Sequence, residues 1–143
     1  MIEVNQKRLH DPANGVTGDC FSAVLASLLH MDIDDVPLFV DPETWCKDLN
    51  AWLRPHGMAF IMFSPDFFDT MPIYGVTGIY HDISGISPRF PDDRHACVGL
   101  DGKLIFDPHP TKLGLPKIES HGLFVCLEPW RMVNSSNNVV FLP

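Results

Sequence analysis

Apolar residues in the first third of the chain recur at helical spacing. In NGVTGDCFSAVLASLL (residues 14 to 29), Phe21, Val24, Leu25, Leu28 and Leu29 fall at i, i+3, i+4, i+7 and i+8, one face of a helix that begins at Cys20. Asp19 is its natural N-cap. A second helix opens with Pro42 at a first helical position, carries Trp45, Leu49, Trp52 and Leu53 along one side, and ends at Gly57. Residues 1 to 19 are polar and punctuated by Asp11-Pro12, Asn14-Gly15 and Gly18, a loop-rich lead-in.

After Gly57 the period changes. MAFIMF (58 to 63), YGVTGIYH (74 to 81), HACVGL (95 to 100), KLIFD (103 to 107) and GLFVCLEPW (122 to 130) are short, rich in aromatic and branched residues, and bounded by Pro, Gly and Asp. They read as strands. Helices first and strands afterwards predict an α+β domain, with the N-terminal helices packed on an antiparallel sheet. No repeat or linker interrupts the pattern, so residues 1 to 143 are expected to form a single domain.

Asp101-Gly102 must return HACVGL into KLIFD. A two-residue turn pairs Leu100 with Lys103 and mixes apolar and charged residues on both faces. A three-residue loop with Gly102 left-handed pairs Gly99 with Lys103 instead. That register gathers Ala96, Val98, Leu104 and Phe106 on one face and His95, Cys97, Gly99, Lys103, Ile105 and Asp107 on the other, with His95 directly opposite Asp107. The hydrophobic pattern selects the three-residue loop.

Charge and composition narrow the partners. Ten Lys and Arg against 18 Asp and Glu leave a net charge of -8, and no basic run exceeds Lys7-Arg8, which disfavours a nucleic-acid partner. No apolar run approaches the ~18 residues of a membrane span, and the N-terminus lacks the apolar segment of a secretory signal, so the expectation is a cytoplasmic protein with no membrane partner. The four cysteines (20, 46, 97 and 126) show no C-x-x-C spacing and read as thiols. Nor are the seven histidines at ligand spacing, so neither a metal site nor a cofactor is expected.

Candidate chemistry starts at Cys20. The first turn of a helix offers unsatisfied N–H groups and a positive dipole end, which favour a thiolate, and the Cys20 N–H can supply half of an oxyanion hole. A histidine and a carboxylate facing each other across a hairpin supply the rest: Asp107 accepts from one ring nitrogen of His95 and raises the basicity of the other. The long segment from Phe60 to Asp93 is expected to wall a substrate cleft, with Ser84, Ser87 and Arg89 presenting polar groups. His109, between Pro108 and Pro110, is expected to turn away from Cys20.

A cysteine opening the main helix, a histidine opening a strand and an aspartate ending the next strand resemble the papain-like cysteine peptidases. The pattern is closest to the leader-peptidase domains of bacteriocin exporters, with their Q-x4-D-C-G, H-[FVA]-V-V and D-P motifs; the chain has Asn14-x4-Asp19-Cys20, His95-Ala96-Cys97-Val98 and Asp107-Pro108. GDCFSAVLASLL, SGISPR and HACVGLDGKLIFDPHP also resemble small bacterial and phage proteins with no assigned activity. The resemblance implies a papain-like fold and a Cys20-His95-Asp107 triad. It also implies an oxyanion-hole amide, for which Asn14 stands at the glutamine position and Gln6 is the other candidate. The expected activity is a thiol hydrolase acting on a peptide, a protein or a small amide or acyl substrate through a Cys20 acyl-enzyme. An acyltransferase or transpeptidase using the same intermediate, and a papain-fold binding module without turnover, are the alternatives.

Overall fold

The computed structural model describes residues 1–133. Its regular elements are α1 (Cys20–Leu29), α2 (Trp45–Leu53), β1 (Met58–Phe63), β2 (Tyr80–Ile86), β3 (Arg94–Leu100), β4 (Lys103–Phe106), β5 (Ile118–Cys126) and α3 (Pro129–Val133), with short 3-10 turns between them. The strands form a five-stranded sheet in the order β1-β5-β2-β3-β4. β2 is antiparallel to both β3 and β5, and β3 to β4. The fold is α+β. Among the described residues no helix is long and apolar enough to cross a membrane.

The described residues gather into two compact units, 1–38 with 62–123, and 39–61 with 124–133. In the first unit α1 packs chiefly on β3. Val24, Ala96, Val98 and Phe106 form a buried cluster, against which Cys20, Phe21 and Leu28 pack. The middle of α1 is buried on all sides, Ser22 and Ser27 included, because the N-terminal segment runs along it. The Ile2 N–H reaches Ser27 O at 3.2 Å and the Val4 N–H reaches Ser27 Oγ at 3.0 Å. In the second unit Leu49, Leu53 and Phe60 are buried, and the Asn50 amide exchanges both hydrogen bonds with the Phe60 backbone, fixing β1 on α2.

Several expectations change in detail. Asp19 makes no side-chain cap; its carboxylate instead accepts the Lys7 and Arg8 N–H groups at 3.3 and 3.0 Å, tying the N-terminal segment to the start of α1. The second helix begins at Trp45, after a turn over Asp41 to Thr44. The strand expected at 74 to 81 lies at Tyr80–Ile86, because a 3-10 turn occupies Phe67–Tyr74. The last strand lies four residues earlier than expected at its start, at Ile118–Cys126, and Pro129 opens α3.

The hairpin register is the main correction. Leu100 pairs with Lys103 around a two-residue turn, with Asp101 and Gly102 both at positive φ (50° and 82°). Asp101 stabilises this turn by accepting the Gly78 and Ile79 N–H groups, both at 2.9 Å. A bulge then restores the pattern: Gly99 pairs with Leu104 but Val98 with Phe106, so Ile105 is the extra residue and points to solvent. Ala96, Val98 and Phe106 reach the core as expected, whereas Leu104 is only half-buried. Carried one step further, this register sets Asp107 beside Cys97 rather than directly opposite His95.

Candidate active site

His95 is the second residue of β3 and Asp107 directly follows the neighbouring β4, and both are buried. The His95 Nε2 atom lies 2.8 Å from Asp107 Oδ1. A carboxylate can only accept, so Nε2 carries the hydrogen that Asp107 receives. Asp107 is itself held in place: Oδ1 also accepts the His109 N–H and Oδ2 the Gly114 N–H, each at 2.8 Å.

Burial opposes charge on both members of the pair, and in each case hydrogen bonding wins. On His95, bonds to Asp107 and to the thiols of Cys20 and Cys97 outweigh desolvation and raise the pKa to about 11. On Asp107, His95 and the two backbone N–H groups outweigh it and hold the carboxyl at about 2. Imidazolium and carboxylate therefore coexist across the neutral range. Cys20 is half-buried at the start of α1, and Cys97 is fully buried, its thiol pushed up by desolvation. Of the two thiols that engage His95, only Cys20 is open to a substrate.

The other expected site residues divide. Gln6 is buried; its N–H bonds Pro108 O at 3.1 Å and its Nε2 donates to Arg8 O at 2.8 Å. The same Arg8 oxygen accepts the Asp19 N–H at 3.1 Å, so the Gln6 amide sits between the residue before Cys20 and the residue after Asp107. Asn14 is exposed in a surface turn, and its hydrogen bonds run to Asp11, with Nδ2 at 2.6 Å from Asp11 Oδ2. The structure does not bring it to the histidine. Ser84 donates to the Asp82 carboxylate, and the Ser87 hydroxyl accepts the Arg89 and Phe90 N–H groups within its own turn.

Arg89 reaches Thr111 Oγ1 at 3.0 Å, and that hydroxyl lies 2.9 Å from His109 Nδ1. His109 is buried with its ring centroid 6.2 Å from that of His95, so the Asp-Pro-His-Pro turn folds toward the site instead of away from it. The backbone requirement of Asp107 decides this, since it recruits the His109 N–H.

Two groups escaped sequence reasoning. Asp82 is a buried carboxyl whose pKa burial raises to about 7, against the pull of Ser84 and His95; an acid inside a strand pattern reads as solvent-facing, and nothing in the sequence marks it. Cys97 was legible as a residue on the histidine's face, but not as a third donor. His95, Cys97 and Asp107 offer nitrogen, sulfur and oxygen atoms all within 4.8 Å of one another. Compared with protein-family models, curated proteins and solved structures, the chain matches none.

Proposed function

We propose that the protein is a papain-like thiol hydrolase that cleaves an amide, peptide or isopeptide bond through a Cys20 acyl-enzyme. The observation that carries the reading is a single imidazole held by a buried aspartate on Nε2 while it engages a half-buried thiol at a helix start. Cys20 Sγ attacks the carbonyl carbon, with its proton held on His95. In this reading the Cys20 N–H at the start of α1 donates to the developing oxyanion, and the buried Gln6 side chain, whose Nε2 also donates to Arg8 O, is the second donor. His95 then gives its proton to the leaving amine as the C–N bond breaks. Water completes the cycle: His95 takes one of its protons, the hydroxyl adds to the thioester, and the thiol leaves with the acid as product.

The test is competitive labelling with iodoacetamide, followed by intact-mass analysis after incubation with lysate. Exposed Cys126 sets the rate of an ordinary thiol. Cys20 is expected to react at least about tenfold faster than Cys126 at pH 6, where an ordinary thiol with its pKa near 8.5 is almost fully protonated. An acyl adduct is expected on the wild type and absent from Cys20→Ala. Equal rates for Cys20 and Cys126, with no adduct that depends on Cys20, would sink the reading.

A further inference from the structure

The proposed reaction leaves Cys97 without a task, although it is buried close beside the same imidazole. Its surroundings are those of a ligand. Cys97 and His95 lie two apart on β3, and the bulge in β4 draws Asp107 alongside Cys97, so three buried donors of different elements converge within 4.8 Å. A strand pair without the bulge would set Asp107 one step out of this cluster.

We propose that His95, Cys97 and Asp107 form a binding site for a thiophilic divalent cation, zinc foremost, and that its occupancy switches the thiol chemistry off. Thiolate, imidazole and carboxylate together suit zinc, whereas magnesium and calcium prefer sets built from oxygen alone. The cation takes the place of the proton between His95 Nε2 and Asp107 Oδ1. Tetrahedral bonds of about 2.0 Å to nitrogen and oxygen and about 2.3 Å to sulfur set the donors roughly 3.3–3.5 Å apart. The sulfur, within 4.8 Å of the others, therefore closes in by roughly an ångström, while His95 Nε2 and Asp107 Oδ1, now 2.8 Å apart, separate by roughly half of one, shifts within side-chain reach.

The outer contacts suit this role as well. The His109 and Gly114 N–H groups already orient the Asp107 carboxylate, as second-sphere donors do at metal centres. Binding releases two protons, one from His95 Nε2 and one from the Cys97 thiol, and burial raises the cost of that thiolate until a cation compensates it. With its Nε2 on the metal, His95 no longer passes a proton between Cys20 and the leaving group.

The regulatory consequence rests on the thiol-hydrolase reading, but the cation site is measured independently of it. The experiment titrates the full-length wild type, Cys97→Ser and Cys20→Ala with cobalt(II), and separately follows Cys20 alkylation with and without zinc. A thiolate-to-cobalt charge-transfer band is expected in the wild type and in Cys20→Ala, and its loss, with binding weakened at least about tenfold, in Cys97→Ser. Zinc is expected to slow Cys20 alkylation at least about tenfold in the wild type and to leave Cys97→Ser, whatever its basal rate, unslowed. No band in the wild type, or a band that survives Cys97→Ser, overturns the site. Ordinary reactivity of Cys20 in metal-free protein counts against the hydrolase reading alone, because the cobalt band does not depend on it.

Discussion

The Asp107 carboxylate does three jobs with two oxygens: it holds His95, it closes the turn through His109, and it catches Gly114. Its replacements separate these. Asp107→Asn keeps an oxygen for the imidazole without the charge, so it should fold and retain part of the Cys20 reactivity. Asp107→Ala leaves a buried imidazole unpaired and should lose more, about tenfold or greater in alkylation rate at pH 6, with a destabilisation of about 3–5 kcal/mol. The pH dependence follows from the two shifts. His95, raised to about 11, contributes stability in full below its unfolded value near 6.5 and loses it as pH rises through about 11. Asp107, lowered to about 2, contributes in full above its unfolded value near 3.9 and loses it as pH falls through about 2. The gap in thermal midpoint between wild type and Asp107→Ala should therefore be widest between about pH 4 and pH 6.5 and narrow toward both extremes. A gap that stays constant from pH 3 to pH 10 would show that the charged pair contributes nothing.

The β3–β4 hairpin shows how an element is decided by its neighbours. Two-residue turns favour positive φ at both central positions, and Asp-Gly is among the pairs that adopt it. The added selection comes from outside the hairpin. Asp101 caps the Gly78 and Ile79 backbone, and the turn packs under Phe68, whose Cβ lies 2.7 Å from where a Cβ on Gly102 would stand. Phe68 in turn stacks on His81 and meets His121 edge-on, and His121 Nε2 lies 3.1 Å from Pro65 O, so the 3-10 segment and the hairpin support each other. Gly102→Ala combines backbone strain at φ 82° with that collision and should cost about 1–3 kcal/mol, read as a lowered urea midpoint at unchanged slope. An unchanged midpoint would mean that Phe68 moves freely and that the turn is not fixed by its packing.

For the whole chain, the N-terminal residues carry more of the site than their polar composition suggests. Ile2 and Val4 bond along α1, Lys7 and Arg8 donate to Asp19, and Gln6 bonds Pro108, so one short segment joins the helix of the nucleophile to the turn of the acid. Removal of residues 1 to 8 should lower the thermal midpoint and reduce Cys20 alkylation toward the rate of Cys126. Asn14→Ala, which removes an amide bonded to Asp11 within its own exposed turn, should change neither. Full Cys20 reactivity in the truncated protein would detach the segment from the site.

The sequence by itself determined the α+β order of elements, the helix beginning at Cys20, and the inward set Ala96, Val98 and Phe106, because periodicity is a local signal of which side is buried. It also determined that His95 and Asp107 fall on adjoining strands of one hairpin. Tertiary structure decided the register, since the bulge at Ile105 and the contacts that Asp101 and Gly102 make with residues 68 to 79 lie outside the hairpin's own alternation. It likewise decided that Asp19 holds the N-terminal segment instead of capping its helix, that His109 turns inward, and that Asp107 stands beside Cys97. Each of these depends on which backbone N–H groups a carboxylate finds within reach, and those donors come from residues distant in sequence or from a loop whose path no local pattern specifies.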